Sequence, residues 1–268
     1  MTTAELYIEF DAMQLEVRTD IAAARALFER SFRSMLVPRL TSSAGRLEVL
    51  KNSEGFTIRG LESVDVPFES IEFLTDYLKR EVLLMFIKAR PDLLWIHAAA
   101  VERDGSALLI AGPSGQGKST LATRLCEYGW RILSDDAAPV RMEIDEVLPY
   151  PQSVFRRKYP GRELAQTELG HLEKEEVLMP DGVLHLHAAP IRGIVFPLFS
   201  NGAPPEISLR PSGEAALDLI RNCTNFADHK ETAVARVARL ARAVPMYHLT
   251  YGDGDAAAHE LSERSRSS

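Results

Sequence analysis

The chain has 268 residues, of which 46% are hydrophobic, and a formal net charge of −7. This length and apolar content suffice for one large or two small cores, while the acidic balance argues against a sequence-independent nucleic-acid partner. Because the sequence lacks both an apolar run of membrane-spanning length, about 18 residues, and a signal segment at its N-terminus, we expect a cytoplasmic protein with no membrane partner.

The first ninety residues predict an α+β module. Alternating apolar and polar residues indicate two hairpins, and apolar residues at helical spacing indicate two helices. The strand pairs are 5–10 with 13–18 and 46–50 with 56–59, and the helices are 21–32 and 70–88. We interpret residues 1–90 as an N-terminal module and residues 91–255 as a separate catalytic domain.

Residues 112–119 carry the pattern Gly-x4-Gly-Lys-Ser. An apolar run typical of a buried strand precedes them, and a segment with apolar residues at helical spacing follows. This order favours a Walker A phosphate-binding loop over a chance glycine-rich turn. The expected phosphate contacts are Gly112, Pro113, Ser114, Gly115, Gln116, Gly117, Lys118, Ser119 and Thr120. Lys118 would reach the β and γ phosphates, and Ser119 would ligate Mg²⁺.

Two adjacent acids, Asp135 and Asp136, end the next predicted strand. Parallel strands joined by a right-handed crossover place their carboxyl ends at one edge of a sheet, so both acids should lie near the phosphate loop. One acid can hold Mg²⁺ and the other can accept a proton from an attacking hydroxyl. A polar turn at the end of a strand is the alternative interpretation.

Before the loop, an Asp-Gly dipeptide at 104–105 lies between two apolar runs and predicts a hairpin. The strand that carries the loop should therefore pair antiparallel with the preceding strand. This pairing brings His97 into the same sheet as the two acids. His97 is either a site residue or a histidine satisfied within the core.

Segments 96–101, 112–119 and 129–136 resemble, in order and spacing, the catalytic core of HPr serine kinase/phosphorylase. They are still more similar to the HPr-kinase-related proteins, which are distant relatives of phosphoenolpyruvate carboxykinase. The resemblance implies an α/β fold with a P-loop kinase core, in which helices flank a mixed sheet. It also implies ATP and Mg²⁺ as cofactors. The acceptor would be a Ser or Thr hydroxyl of a peptide or protein, and precursors of ribosomally made lasso peptides are candidates.

The same resemblance implies roles for individual residues. Asp135 would be the base that accepts the seryl proton, Asp136 the acid on the Mg²⁺ side, and His97 a neighbour of Asp135 that adjusts its pKa. The roles of the two aspartates are interchangeable at this point. Arg192 would match the family's arginine, with a phosphate or substrate role, or else it is a solvated residue at the start of a strand.

The chain also departs from the family pattern. Pro190 stands where HPr kinases have a metal-holding acid, and a Pro-Gly-Arg-Asn loop is lacking, so a phosphorylase reaction stays open. Arg156 and Arg157 lie in the long insertion 149–182, our candidate for substrate engagement, although short charge runs are often only solvated. The small and polar segment 256–268 predicts a disordered tail.

Two other functions remain open. A small-molecule kinase of the shikimate-kinase type would also place acids one helix after the loop, although as Asp-x-Asp. A regulator that senses nucleotide without phosphoryl transfer would tolerate Pro190. The sequence leaves the oligomeric state open, including a homo-oligomer, and does not decide between ATP, GTP and pyrophosphate.

Overall fold

The computed structural model describes residues 4–38, 43–67, 70–141, 143–157, 174–177, 179 and 182–266. The chain divides into two compact units, Met1–Pro91 and Asp92–Ser268. Within the described residues, none of the helices combines the length and apolar content that a membrane crossing requires.

The N-terminal unit contains a five-stranded sheet and two helices. Its elements are β1 (Ala4–Phe10), β2 (Met13–Thr19), α1 (Ala22–Ser31), β3 (Ser43–Lys51), β4 (Phe56–Arg59), β5 (Ser63–Val66) and α2 (Thr75–Ala89). The strands follow one another in sequence order, and all neighbours are antiparallel except β2 and β3. Both predicted hairpins are confirmed.

Alternating burial explains this sheet. Leu15 and Val17 of β2 and Leu47 of β3 point into the core, and α2 packs against both strands with Leu78 and Phe86 fully buried. The predicted helix over 70–88 is confirmed from Thr75 onwards, and residues 71–74 instead form a 3-10 turn.

The C-terminal unit is built on a nine-stranded mixed sheet. Its first elements are β6 (Leu93–Ile96), β7 (Ala98–Arg103), β8 (Ser106–Ala111), α3 (Lys118–Cys126), β9 (Arg131–Ser134), β10 (Ala138–Arg141) and β11 (Glu146–Val147). A separate two-stranded hairpin, β12 (Val154–Arg157) with β13 (Lys174–Val177), follows. The last elements are β14 (Ala189–Phe199), β15 (Glu206–Leu209), α4 (Ser212–Arg221), α5 (Phe226–Ala243), β16 (Met246–Tyr251) and α6 (Gly254–Arg266).

Helices cover both faces of this sheet. Buried residues of α4 and α5, such as Leu219 and Val237, share one apolar cluster with the sheet. Buried residues of α3 and α6, such as Leu121 and Leu261, share a second cluster with it. The expectation of a mixed α/β fold is therefore confirmed.

Strand direction positions the glycine loop and the acids. β8 pairs parallel with β14, and β14 pairs parallel with β16. β7 is antiparallel to β8, as the Asp-Gly hairpin predicts, and the structure also pairs it antiparallel with β9. The carboxyl ends of β8 and β9 therefore lie at the same edge of the sheet, and α3 crosses over β7 between them.

The prediction of a disordered tail over 256–268 is wrong for its described part, since α6 continues to Arg266. The reason is a narrow apolar stripe among the small residues, which packs on the sheet beside α3. The stripe consists of Ala257, Ala258 and Leu261. In addition, the Oγ of Ser262 accepts a hydrogen bond from Nε1 of Trp130 at 2.9 Å, which ties the helix to the core.

Candidate active site

The glycine loop, residues 112–117, connects the end of β8 to the start of α3. Gly117 has a φ of +83°, a left-handed conformation that side chains disfavour. A Cβ at this position would also lie 2.0 Å from the Tyr251 hydroxyl oxygen. Glycine is thus required at 117 both by the backbone and by close packing.

Two contacts hold Gln116 at the end of this loop. The Tyr251 hydroxyl donates to the backbone oxygen of Gln116 at 3.2 Å, and the backbone N–H of Phe199 donates to its side-chain Oε1 at 3.3 Å. Burial raises the pKa of Tyr251 to about 12, so its hydroxyl stays a donor at neutral pH. Sequence reasoning missed Tyr251 and Phe199, since no local motif marks residues that end β14 and β16.

Lys118 is the first residue of α3, and it is buried, with 6% of its surface exposed. Its Nζ donates to the backbone oxygens of Gly112 at 2.8 Å and Pro113 at 3.1 Å. Nζ also lies 3.0 Å from Nε2 of His97. The loop is therefore folded around the lysine ammonium.

The first turn of α3 presents its N–H groups to the loop. The opening N–H groups of a helix have no acceptor within the helix, and Gly117 at the N-cap offers no side-chain hydrogen bond to them. Ser119 and Thr120 follow, and both are partly exposed. Orphan N–H groups, the positive end of the helix dipole and a lysine are the groups that bind phosphate oxygens.

The two acids and His97 occupy an interruption between neighbouring strands. Ile96 pairs with Ala138, and Ala100 pairs with Ser134. Between these pairs, residues 97–99 of one segment and residues 135–137 of the other do not pair with each other. His97 lies on one side of the gap, and Asp135 and Asp136 lie on the other.

His97 contacts Asp136. Its Nδ1 lies 2.9 Å from the Asp136 backbone oxygen and 3.3 Å from Oδ1 of the Asp136 carboxylate. That carboxylate is 68% exposed, and the residue adopts a φ of +69°. His97 thus contacts Asp136, and the expectation that it also lies beside Asp135 stays a prediction. The chain leaves β9 through Asp135, and the left-handed turn at Asp136 directs the second acid toward the histidine.

Asp135 is buried, with 4% exposure. Its backbone oxygen accepts a hydrogen bond of 3.1 Å from the side-chain amide of Gln152. The two acids thus differ in environment, because one carboxylate faces solvent beside an imidazole and the other lies within the fold. Of the two side chains, that of Asp136 is therefore the one open to solvent.

A short segment holds the His97 end of β6. The backbone N–H of His97 donates to the Asn222 oxygen at 2.7 Å. The side chain of Asn225 accepts from the N–H of Trp95 and donates to the oxygen of Leu93, both at 2.9 Å. An amide side chain therefore substitutes for a strand at this edge, and nothing in the sequence pattern predicts it.

The predicted substrate arginines do not all reach this site. Arg192 is exposed and forms a bulge in β14 opposite the beginning of β8. The glycine loop follows the other end of β8, about 13 Å away at 3.3 Å per residue. Arg192 therefore lies at the opposite edge of the sheet, because β14 runs parallel to β8. Arg156 and Arg157 lie on β12, but their side chains fall outside the described part of the structure, as do residues 158–173 of the insertion.

Within the described ranges, there is no group of three or more His, Cys, Asp or Glu residues arranged to hold a metal ion. The oxygen donors of the predicted metal site are the hydroxyl of Ser119 and the carboxylates of Asp135 and Asp136. Hydroxyl and carboxylate oxygens are the ligand type that Mg²⁺ prefers, commonly together with phosphate oxygens of a substrate. By ligand type, the predicted set fits that ion.

Comparison with known proteins gives two similarities. A family profile described as "SynChlorMet cassette protein ScmC" matches residues 71–151, a range that contains His97, the glycine loop and both acids. One similar solved structure is the HPr(Ser) kinase/phosphatase from Coxiella burnetii, at 11% identity and a TM-score of 0.34, covering 65% of this chain and 94% of that chain. At that TM-score, the likeness carries no argument about activity. No curated protein matches the chain.

Proposed function

We propose that the protein is an ATP- and Mg²⁺-dependent kinase that transfers the γ-phosphate to a serine, or a threonine, of a peptide or protein. One observation carries this proposal. The strand–glycine loop–helix unit and the acid pair meet at one sheet edge, and Lys118 and Asp136 both contact the same histidine. A phosphate-binding group and a proton acceptor are thus joined through one side chain.

The residues would divide the work as follows. Lys118 and the N–H groups of the loop and of α3 would bind the β and γ phosphates. Ser119 and one aspartate would hold Mg²⁺, which would offset negative charge on the transferred group. The other aspartate would accept the hydroxyl proton as the oxygen attacks phosphorus. We assign the proton-accepting role to Asp136, because its carboxylate is exposed and contacts His97, and the metal role to Asp135.

Two alternatives keep specific support. A small-molecule kinase would use the same loop and acids, and Arg192, the family-matched arginine, lies away from the site. A nucleotide sensor is favoured by Pro190, which pairs with Glu146 on β11 and supplies no carboxylate at the family's acid position. The peptide kinase is preferred because the contiguous acid pair and the antiparallel hairpin before the loop resemble that family.

The test is phosphate transfer to a cell lysate in the presence of ATP and Mg²⁺, followed by mass spectrometry of peptides and metabolites. The variants are Asp135→Asn and Asp136→Asn. The matched control is Asp104→Asn, because Asp104 lies in the hairpin turn with a left-handed φ of +53° and a side chain 93% exposed. Loss of a positioned acid or base lowers turnover about 10²- to 10⁴-fold, so both site variants should lose transfer and the control should keep it.

Each outcome has a distinct meaning. A peptide serine or threonine phosphorylated by wild type and by the control, but not by the site variants, supports the proposal. Phosphate found only on a metabolite supports the small-molecule kinase. ATP that binds without transfer supports the sensor, and a wild-type protein that binds no nucleotide overturns all three.

A further inference from the structure

The side-chain ammonium of Lys118 is engaged by the chain itself. Three acceptors surround Nζ: the backbone oxygens of Gly112 and Pro113 and Nε2 of His97, at 2.8, 3.1 and 3.0 Å. An ammonium has three N–H donors and no acceptor. The three described contacts equal the number of these donors, so a phosphate oxygen that approaches Nζ competes with them for its N–H groups.

The protonation of His97 follows from its partners. Nδ1 lies 2.9 Å from the backbone oxygen of Asp136, which only accepts, so Nδ1 carries the ring proton. Nε2 faces Lys118, which only donates, so Nε2 holds its lone pair toward the ammonium. The imidazole is thus oriented by Asp136 and presents a fixed acceptor to the lysine.

His97 is the contact most easily exchanged. The oxygens of Gly112 and Pro113 belong to the same loop as Lys118 and move with it, whereas His97 comes from the junction between β6 and β7 on a neighbouring strand. Its backbone is held there by the Asn222 oxygen at 2.7 Å. Drawing Nζ toward a phosphate in the loop therefore separates it from a histidine that stays in place.

We propose that His97 is a latch that holds Lys118 away from phosphate and competes with nucleotide for the ammonium. This inference rests on the proposed nucleotide site. It adds to that site a residue that lowers the affinity of the empty loop for nucleotide. His97 acts through Lys118 and Asp136 and is a positioning residue. When Lys118 moves to phosphate, Nε2 of His97 loses the lysine, while Nδ1 keeps its contact with Asp136.

The latch predicts that replacing His97, a residue within the proposed binding site, raises the affinity for nucleotide. A residue that binds phosphate, or that only supports the fold, gives weaker nucleotide binding when it is replaced. Removal of a competing hydrogen bond to a charged group should instead strengthen binding, by about tenfold, or about 1.4 kcal/mol.

Two substitutions separate the two ring nitrogens. In His97→Asn, the side-chain amide can replace Nδ1–H as the donor to Asp136 but does not reach Lys118. In His97→Gln, the amide oxygen can occupy the place of Nε2 and restore the acceptor for Lys118. His187→Asn is the control for replacement of a histidine, because His187 is exposed and its ring instead faces His185 at 5.8 Å.

The experiment is calorimetric titration of the full chain with ATP in the absence of Mg²⁺, so that metal ligation by the aspartates does not contribute. We expect His97→Asn to bind ATP about tenfold more tightly than wild type, and His97→Gln and His187→Asn to bind within about twofold of it. Unchanged or weaker binding by His97→Asn, with wild type binding normally, overturns the latch and leaves the nucleotide site standing. If wild type binds no ATP, the proposed function fails and the latch fails with it.

Discussion

Gly117→Ala is the substitution whose cost follows most directly from the structure. A left-handed conformation costs a residue with a Cβ about 1–2 kcal/mol. The new methyl group would also meet the Tyr251 hydroxyl at 2.0 Å, and forcing extra volume into a packed site costs about 1–3 kcal/mol more. We therefore expect the free energy of unfolding to fall by about 2–5 kcal/mol.

A second glycine supplies a matched control. Gly129 has a φ of +84°, almost equal to the +83° of Gly117, and an added Cβ would meet nothing within 4 Å. Gly129→Ala should therefore show the backbone cost alone, about 1–2 kcal/mol. The difference between the two variants measures the collision with Tyr251.

The assay is urea unfolding followed by tryptophan fluorescence. Both tryptophans, Trp95 and Trp130, lie in the C-terminal unit, so the signal reports on the unit that contains the loop. Adding Tyr251→Phe to Gly117→Ala removes the colliding hydroxyl and leaves the ring carbon at 3.3 Å, so the double variant should recover part of the loss. A Gly117→Ala protein no less stable than Gly129→Ala would refute the steric reasoning.

Three further outcomes follow from buried polar groups of the C-terminal unit. Glu102 is fully buried and pairs with Arg131 at 2.7 Å. Glu102→Ala should therefore lower the free energy of unfolding, measured in urea, by about 3 kcal/mol. A loss below about 1 kcal/mol would contradict this. Asn225→Ala should cost about 2–4 kcal/mol in the same urea assay, because it leaves the buried N–H of Trp95 and a backbone oxygen without the amide. Asn225→Asp should cost at least as much, because it buries a carboxylate and sets an acceptor oxygen against the Leu93 oxygen. Burial lowers the pKa of His185, against the opposing charge of Glu102. Because the unfolded chain therefore takes up the proton first, the free energy of unfolding should fall as pH drops below about 6.5. Thermal unfolding between pH 7.5 and 5 should show a smaller decline in stability for His185→Gln than for wild type.

Local sequence patterns predicted the parts of this protein that depend on near neighbours. The Asp-Gly turn at 104–105 specifies a hairpin because few residue pairs adopt its conformation. The glycines of 112–117 permit the backbone conformation of the loop. The helical spacing of apolar residues after Lys118 predicts the helix that follows it. The acids after β9 arrive at the loop edge because one crossover helix separates two parallel strands.

Contacts between distant residues were decided only by the tertiary structure. His97 was expected beside Asp135, and the structure adds a contact with Asp136, whose left-handed turn directs the second acid toward the histidine. Arg192 matched a family motif, yet the parallel pairing of β14 with β8 places it beside the beginning of β8, at the end of the sheet away from the glycine loop.

The C-terminal end shows the same division. Composition over 256–268 predicted disorder, because its residues are small and polar. The ordered helix α6 exists because α3 and the sheet provide a surface for a narrow stripe of alanine and leucine side chains. Amino-acid sequence alone therefore determined the glycine loop, the hairpin and the acid pair, whose geometry is set within a few residues. Strand register and packing across the core decided which side chains meet, because those contacts join residues far apart in the chain. Lys118 and His97 are 21 positions apart, and Tyr251 and Gln116 are 135 positions apart.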